Sequence, residues 1–447
     1  MMDRSQPPLN TRFSENPMAQ SSRPVAIVGS NRIPFCRIFT NYTDVGNLEM
    51  LTAAITGLVQ KYNLKGEILG DVVAGAVMKH SRDWSMAREA VLSSGLNVHT
   101  PAHNSDRACG TSLSTAAEIA ARIAIGEIDS GIAGGVDTAS DVPIVFGRHF
   151  QQILLRSSRG KTFGQRLSPW LGFRPWIDFK PHLPGVTETR TGLNMGQSCE
   201  LMAQEWGVSQ KEQDELAYQS HMKAATAWKE GFYNDLVTPF HGAATDNNVR
   251  ADTTLDKLAK LKPVFDRTGK GTLTAGNSTP LTDGASAVLL ASDDWAKARG
   301  LPLLAYLTHT ATAGVDFAGL QGPREGLLMA PTYAVPKMLD KAGLKLQDFD
   351  YYEIHEAFAA QVLCTLKAWE SADYCRSRLG RKEPLGSIDR SKLNVKGGSV
   401  ALAHPFGATG GRILGTLAKL LAQKGKGRGL ISICTGGGMG VTAILER

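Results

Sequence analysis

Cys109 stands in a setting that can support nucleophilic chemistry. It lies between a short extended approach, HNSDRA, and the small residues 110–112, which lead into an alanine-rich helical pattern. A thiol at a helix N-terminus faces unpaired backbone N–H groups and the positive end of the helix dipole. Both favour the thiolate, so we expect the pKa of Cys109 to lie below its reference value of about 8.5. The alternative is a buried structural cysteine, which is what most isolated cysteines are.

Three later segments carry further reactive side chains where a strand is predicted to end or a helix to begin. They are HEAF at 355–358, HPFGATGG at 404–411 and CTGGGMG at 434–440. Taken singly, each histidine or cysteine in them is more typical of a structural residue. Because ligand sites of α/β proteins gather at such strand and helix ends, the segments together with Cys109 predict one shared pocket.

The elements that must position these residues are helices alternating with apolar strands, which predicts an α/β fold with helices layered on a mainly parallel sheet. The first half reads strand, loop, helix, strand, Cys109 helix and glycine-rich strand, and the order repeats from residue 301. In this alignment His404 takes the helix-entry position that Cys109 takes earlier. We therefore predict two related domains that pair across a pseudo-dyad and share a pocket.

Bulk composition limits the class of protein. The 447 residues are 42% hydrophobic and 20% charged, which is ordinary for a large globular chain. Six scattered cysteines lack paired metal spacing, so we predict neither a disulfide framework nor a metal site, and a reducing, cytoplasmic compartment. No apolar run reaches transmembrane length. The polar residues 1–22 lack the apolar core of a secretion signal and are expected to form a flexible tail.

The stretch from Arg148 to Lys180 differs from the rest of the chain. It holds seven basic side chains against the single acid Asp178, with tryptophan and phenylalanine between them. Its periodicity is poor, so we predict an inserted loop region. It could be a solvated basic face, a phosphate-binding surface or a partner-docking surface; no recognition motif for nucleic acid accompanies it, and no nucleic-acid partner is predicted.

As a set, the four segments resemble the thiolase family of acetyl-CoA acetyltransferases and 3-ketoacyl-CoA thiolases. The resemblance runs from about Pro24 to the end and includes NMGQSCE, QDELAYQSH and TAGNSTPLTDGAS. HEAF, and SDVPI after GGVDTA, are most similar to the branch that contains trifunctional-enzyme β subunits. The implied fold is a duplicated α-β-α layered body with mixed, mostly parallel sheets. The implied domains are 23–146 completed by 272–296, an inserted loop domain at 147–271, and 297–447.

The resemblance implies thiolytic cleavage of 3-ketoacyl-CoA, or the reverse Claisen condensation, with coenzyme A as substrate and no permanently bound cofactor. Fatty-acid β-oxidation is the expected context. Cys109 would carry the acyl group, since a thioester stays reactive towards a second thiol. His404 would take the thiol proton and Cys434 would exchange a proton with the α-carbon. The backbone amides of Cys109 and Gly436 would hold the tetrahedral oxyanion, with His404 and His355 serving the enolate, His355 directly or through water.

Positions that match the family's pantetheine and acyl contacts are Thr279, Met329, Ala357 and Phe358, with Met195 matched less securely. Two departures bear on the site. Many thiolases have asparagine where His355 stands, and Phe406 is larger than the isoleucine often found in that turn. The insertion expected at 365–395 could also reshape the acyl end.

Two other functions stay open at this point. A decarboxylating ketoacyl synthase pairs one cysteine with two histidines and needs no second thiol, whereas a thiolase-like lipid carrier needs no chemistry at all. Cys434 argues against the first, and the full set of reactive residue types argues against the second. As partners the resemblance implies a second copy or three further copies of the chain, or a hydratase/dehydrogenase subunit.

Overall fold

The computed structural model describes residues 22–447. The expected tail at 1–22 therefore lies, apart from Ser22, outside the described residues. The strands are β1 Val25–Arg32, β2 Cys36–Arg37, β3 Asp71–Gly75, β4 Ala102–Asn104, β5 Ser130–Asp137, β6 Val145–Phe146, β7 Pro181–His182, β8 Thr282–Ser292, β9 Ala305–Gly314, β10 Tyr351–Ile354, β11 Arg428–Thr435 and β12 Met439–Glu446.

The helices are α1 Asn47–Lys61, α2 Met86–Ser93, α3 Thr111–Ala124, α4 Arg148–Arg159, α5 Phe163–Leu167, α6 Pro175–Asp178, α7 Met195–Glu205, α8 Gln210–Lys229, α9 Leu255–Ala259, α10 Asp293–Ala298, α11 Pro331–Ala342, α12 Ala359–Glu370, α13 Ala372–Ser377, α14 Ser399–Leu402 and α15 Thr409–Lys424. Short 3₁₀ turns occur at Ser81–Asp83, Ser168–Gly172, Arg390–Lys392 and Phe406–Ala408. None of these helices is long and apolar enough to cross a membrane.

One large sheet runs through the molecule in the order β10-β11-β12-β9-β1-β8-β5-β3-β4, with β2 paired to β8. Each half repeats one pattern: the first strand pairs antiparallel with the last, the last pairs antiparallel with the third, and the third pairs parallel with the second. Antiparallel pairing of β1 with β9 joins the halves. This matched order is the duplication that the sequence pattern predicts.

The expected predominance of parallel strands is wrong, although the sheet is mixed as expected. Six of its strand pairs are antiparallel (β1·β8, β1·β9, β2·β8, β5·β8, β9·β12, β11·β12) and three are parallel (β3·β4, β3·β5, β10·β11). The difference arises because the last strand of each half inserts between the first and the third. A tight turn between β11 and β12 also requires antiparallel pairing, since only a longer crossover can join parallel neighbours.

The layers place the helices that carry the reactive segments at the centre. Helices α3 and α15 are packed together between the two halves of the sheet, in a core that both halves line. Helices α1 and α2 cover the outer face of the first half, and α11 and α12 cover that of the second. The two central helices start near each other because they occupy equivalent places in the repeat.

The region between β5 and β8 is more helical than the sequence pattern predicts. The stretch expected to be an irregular loop contains α4, α5 and α6, and α4 buries Phe150 and Ile153 on one face. Helices α7 and α8 are the two expected from NMGQSCE and QDELAYQSH. The predicted capping box is present, with Ser209 Oγ accepting from the Glu212 amide and Glu212 accepting from the Ser209 amide.

Candidate active site

One cavity of about 410 Å³ collects most of the predicted site residues. Its walls include Cys109, His404, Cys434 and Gly436, and also the predicted substrate contacts Met195, Thr279, Ala357 and Phe358. His355 adjoins it: one ligand atom each from Cys109, His355 and His404 lies within 4.8 Å of the others. Met329 is not among the lining residues; it is fully buried in the underlying core, and its neighbour Leu328 reaches the cavity instead.

The chain turns sharply just before the nucleophile candidate. Ala108 has φ 45°, a left-handed conformation that costs a non-glycine residue about 1–3 kcal/mol. The Thr111 hydroxyl holds this turn, since it accepts from the Arg107 amide at 2.9 Å and donates to the Ala108 carbonyl at 2.7 Å. Gly110 is the N-cap of α3, so Cys109 stands one residue before the cap rather than opening the helix itself.

The expected lowering of the Cys109 pKa is wrong. Burial raises the pKa of the thiol to about 12, because it removes the water that would stabilise a thiolate. Backbone N–H groups of Gly436 and of Cys109 itself face the sulfur and act in the opposite direction, but with smaller effect. The resting thiol is therefore protonated, and a neighbouring base has to remove its proton before it can attack.

His404 is held as a neutral proton acceptor. Burial and the nearby Arg412 lower its pKa to about 3. Its Nδ1 contacts the Thr409 hydroxyl, which donates its own proton to the Pro405 carbonyl at 3.1 Å. Thr409 must then accept the Nδ1 proton, which leaves the lone pair on Nε2. Nε2 is buried and has no protein partner within the described chain, so it is free to accept a proton in the cavity.

His355 has the opposite tautomer. Its Nδ1 lies 2.8 Å from the Ser399 hydroxyl oxygen, which accepts a hydrogen bond from Arg412 Nη2 at 2.7 Å. The Ser399 proton is thereby directed to His355 Nδ1, since the described residues offer it no other acceptor, and His355 Nε2 carries a hydrogen. This Nε2 is also buried and unpaired within residues 22–447. The two rings, 4.1 Å apart between centroids, thus present one acceptor and one donor.

The segment before His404 mirrors the turn at Cys109. Ala403 has φ 73° and ψ 177°, a region that is populated almost only by glycine. The His404 amide donates to the Thr282 hydroxyl at 3.0 Å, which ties this turn to the first half of the sheet. A strained backbone conformation therefore precedes the reactive side chain in both halves. Such strain is typical of functional sites, where the surrounding structure holds the backbone in an unfavourable conformation.

Cys434 lies near the end of β11 and is buried, which raises its pKa well above the usual range, with the neighbouring Cys109 as a further cause. The following turn carries Gly437 and Gly438 at φ 75° and 67°, conformations that favour glycine. Glu188, from the chain between β5 and β8, accepts from the Gly437 amide at 2.6 Å. The second thiol is therefore neutral, and the turn that follows it is held by contacts with another part of the chain.

Buried polar groups lie behind the two histidines, and no local sequence pattern predicts their role. Glu356 accepts from Ser220 Oγ, Asn394 Nδ2 and the Val400 amide, and so fixes the start of α14, which carries Ser399. Arg412 is buried beside it, with Glu353 at 4.0 Å. The one signal in the sequence is an arginine in the first turn of α15, well ahead of the other charged residues of that helix, Lys419 and Lys424. Nothing in the local pattern relates it to His355.

Phe406 and Thr279 lie at the cavity, whereas two longer stretches of the chain lie away from it. Phe406 lines the cavity, with its ring 5.3 Å from that of His404. Thr279 donates from both its amide and its hydroxyl to the Ala357 carbonyl, at 3.1 and 3.2 Å. Neither the basic stretch 148–180 nor the stretch 365–395, which was expected to be an insertion, contributes a residue to the walls of this cavity.

Comparisons with known proteins agree with this architecture. The thiolase N-terminal domain model matches residues 25–294 and the thiolase C-terminal domain model matches 301–447. The 3-ketoacyl-CoA thiolases of Pectobacterium carotovorum subsp. carotovorum (strain PC1) and Yersinia pestis (strain Pestoides F) are 41% and 40% identical over 428 residues, covering 94% of this chain and 96% of each relative.

Solved structures give the same result. Bacillus anthracis acetyl-CoA acetyltransferase superposes with a TM-score of 0.79 at 27% identity, covering 95% of this chain and 99% of that one. Human mitochondrial 3-ketoacyl-CoA thiolase in complex with CoA gives 0.78 at 28% identity, covering 95% and 98%. Because both family models and these relatives span nearly the whole described chain, the protein belongs to the thiolase family.

Proposed function

We propose that this thiolase transfers an acyl group between Cys109 and coenzyme A, cleaving 3-ketoacyl-CoA to acetyl-CoA and a shortened acyl-CoA, or running the reverse condensation. CoA is a substrate rather than a resident cofactor, and the activity is that of an acyltransferase. The observation that carries the proposal is that two thiols and an imidazole acceptor line one cavity. The relatives named above support fatty-acid β-oxidation as the context.

The first half-reaction needs a base, because the Cys109 thiol is neutral. His404 Nε2 takes the thiol proton, and the sulfur attacks the 3-keto carbon. The Cys109 and Gly436 amides, which already face the sulfur, stabilise the tetrahedral oxyanion. Losing one such donor typically costs about 3–4 kcal/mol in the barrier.

Collapse of the tetrahedral intermediate breaks the bond between C2 and C3. The acyl group stays on Cys109 as a thioester, and the leaving group is the enolate of acetyl-CoA. His355 Nε2–H donates to the enolate oxygen, and Cys434 gives its proton to the carbon. Acetyl-CoA leaves, and the Cys434 thiolate then takes the proton of an incoming CoA thiol. The CoA thiolate attacks the thioester, and Cys109 recovers its proton from His404.

Substrate contacts follow from the walls of the cavity. Thr279, Ala357 and Phe358 form one side, where the Phe358 ring packs edge-on against Phe265 at 5.8 Å. Met195 lies beside Gly436, with its sulfur 3.6 Å from where a Cβ of that glycine would be. We assign this side to the pantetheine arm and the Met195 side to the acyl group. Met329 supports the wall from beneath through Leu328.

The domain division and the cellular setting are also proposals. We divide the described chain into 23–146 with 272–296, 147–271, and 297–447; the pairing of β8 with β1 and β5 supports returning 272–296 to the first domain. We propose a homodimer or homotetramer, with a hydratase/dehydrogenase subunit as a candidate partner. The six cysteines of the described chain are unpaired, which supports a reducing, cytoplasmic location.

The test is CoA-dependent cleavage of acetoacetyl-CoA and of longer 3-ketoacyl-CoA substrates by the purified protein. We expect one acyl-CoA and one acetyl-CoA per CoA consumed. Release of carbon dioxide without CoA consumption would instead identify a decarboxylating condensing enzyme, and no turnover with an inert Cys109 would identify a carrier.

A further inference from the structure

Three reactive side chains of the catalytic cavity also form a set of ligands for a metal ion. One ligand atom each from Cys109, His355 and His404 lies within 4.8 Å of the others, and no other three histidine, cysteine or acidic side chains group in this way within residues 22–447. The absence of paired spacing in the sequence predicts no metal site, but that argument covers only donors that are close along the chain. The fold brings these donors together from its two halves.

The two histidines each present a free nitrogen to this group. Nδ1 of His404 contacts the Thr409 hydroxyl, and Nδ1 of His355 contacts the Ser399 hydroxyl. Nε2 of each ring is buried and has no protein partner in the described chain. A histidine that binds a metal usually makes such a hydrogen bond from its other nitrogen, which fixes the orientation of the ring. Ser399 and Thr409 therefore hold both rings as the outer partners of a metal site do.

The tautomers decide how much rearrangement metal binding needs. His404 has its hydrogen on Nδ1, so its Nε2 lone pair is available at once. His355 must transfer its hydrogen from Nε2 to Nδ1, where the Ser399 oxygen has a second lone pair besides the one that accepts from Arg412. Cys109 must release its proton to solvent. The ligands are then one thiolate and two neutral imidazoles, and one proton is released for each metal ion bound.

The separations of the ligand atoms fit a tetrahedral ion after small side-chain movements. Zinc bonds of about 2.3 Å to sulfur and 2.0–2.1 Å to nitrogen place tetrahedral ligand atoms about 3.3–3.6 Å apart. The three atoms of this cluster are at most 4.8 Å apart, so each pair has to close by no more than about 1.5 Å. Three protein ligands leave a fourth position for water.

Donor chemistry and charge select the kind of ion. Thiolate and imidazole suit Zn²⁺, whereas Mg²⁺ and Ca²⁺ prefer oxygen ligands. The negative charge of Asp137 raises the pKa of Cys109, and the same charge attracts a cation. Arg412 opposes the cation from behind the histidines, but the Cys109 thiolate formed on binding neutralises one of the two charges of the ion.

We propose that Cys109, His355 and His404 form an inhibitory Zn²⁺ site. The metal occupies the nucleophilic sulfur, the proton acceptor of His404 and the hydrogen-bond donor of His355 at the same time. Zn²⁺ is thus an inhibitor and not a cofactor. The inhibition of thiolysis rests on the proposed function, whereas metal binding does not and can be measured without any turnover.

The experiment is equilibrium dialysis of the full-length protein, first freed of metal with a chelator, against buffered Zn²⁺, with bound zinc measured by elemental mass spectrometry. We expect one Zn²⁺ per chain, which a large excess of Mg²⁺ does not displace. Over the same range of concentration, Zn²⁺ should protect Cys109 from iodoacetamide and inhibit thiolysis, and the chelator should reverse both effects. Bound Co²⁺ should show thiolate-to-cobalt charge-transfer absorption in the near ultraviolet.

Variants test each ligand. Cys109→Ser, His355→Ala and His404→Ala should each bind Zn²⁺ at least about 100-fold more weakly, since losing a ligand costs more than the 10- to 100-fold loss typical of an outer partner. Thr409→Val removes the acceptor of the His404 Nδ1 hydrogen, so it should weaken binding about 10- to 100-fold.

Matched controls remove the same residue types away from the cavity. His103 is an exposed histidine and Cys375 a buried cysteine, and neither lines the cavity. His103→Ala and Cys375→Ser should bind Zn²⁺ like the wild type.

Protection of Cys109 is measured on the wild-type protein, so the test does not depend on the folding of any variant. Zinc binding that survives the loss of Cys109, or that falls equally in the controls, identifies an adventitious surface site and overturns the proposal. So does bound Zn²⁺ that leaves the alkylation of Cys109 unchanged. Zinc binding with protection of Cys109, in a protein that shows no thiolysis, supports the metal site and refutes the proposed function instead.

Discussion

Replacing Ser399 by alanine tests how the site sets the tautomer of His355. The change removes a hydroxyl that contacts His355 Nδ1 at 2.8 Å and accepts from Arg412 Nη2 at 2.7 Å. The imidazole stays in place, but nothing then directs its hydrogen to Nε2. Arg412 also loses a hydrogen-bond partner in the core. Its Nε and Nη1 make no hydrogen bond within the described residues, and Glu353 lies 4.0 Å from Nη1, so we expect about 1–3 kcal/mol of lost stability.

The catalytic magnitude follows from the donor that is lost. Complete removal of one oxyanion donor lowers the rate about 10²–10³-fold. The Ser399→Ala variant loses less, because His355 remains and its ring hydrogen is distributed between Nδ1 and Nε2. We therefore expect thiolysis of acetoacetyl-CoA to fall about 10- to 100-fold. Exchange of the acetyl group between acetyl-CoA and labelled CoA passes through acyl-Cys109 without an enolate, and should stay within about threefold of the wild type.

Two variants make the comparison specific. Ser432 is a buried serine of β11 whose hydroxyl has no partner in the described chain, so Ser432→Ala should change neither reaction. Thr409→Val removes the contact that orients His404, which serves both half-reactions, so thiolysis and exchange should fall together. If Ser399→Ala slowed exchange as much as thiolysis, or left thiolysis within twofold, the assigned tautomer would be refuted.

Three further results are expected. Cys109→Ala should abolish both thiolysis and exchange. Cys434→Ala should still form acyl-Cys109 from acetyl-CoA, detected by intact-protein mass spectrometry, while its rate of thiolysis falls about 10²–10⁴-fold. Normal turnover of Cys434→Ala would contradict the assignment of separate roles to the two thiols. Because burial raises the pKa of Cys109 to about 12, the fraction of thiolate grows about tenfold per pH unit below that value. The rate of Cys109 alkylation by iodoacetamide, measured by peptide mass spectrometry, should therefore rise steadily from pH 6 to 10. A plateau near pH 8 would show an activated thiolate instead. Gly135→Ala should destabilise the fold by about 1–3 kcal/mol or more in urea unfolding, since its Cβ would lie 2.0 Å from the Gly407 carbonyl oxygen across the two halves; Gly164→Ala, with open space around it, is the control and should be near neutral.

Much of the site could be predicted from local pattern. Cys109, His355, His404 and Cys434 stand at the ends of strands or the starts of helices, and such positions can be read from apolar runs and glycines. The duplication could be predicted for the same reason, because equivalent elements recur in the same order in both halves. These features depend on short stretches of chain, where periodicity and turn residues dominate.

Local pattern could not predict the relative direction of the strands or the helices within the basic stretch. Whether the last strand of each half inserts beside the first is decided by contacts between residues far apart in sequence, such as Ile27 and Leu290. The helices within 144–183 are stabilised by one aromatic cluster that joins α4 to residues 20–29 positions later. No window of local periodicity contains such a cluster.

The sequence alone determined which residue types could perform the chemistry and where along the chain they stand. Only the tertiary structure decided their protonation. Helix position suggested an activated thiolate at Cys109, but the completed cavity removes water from the sulfur, and this desolvation outweighs the backbone amides that face it. The tautomers of His355 and His404 likewise depend on hydroxyls whose own protons are directed by Arg412 and by the Pro405 carbonyl. Charge and proton position are properties of the assembled surroundings, because burial and hydrogen-bond partners exist only once distant segments have come together.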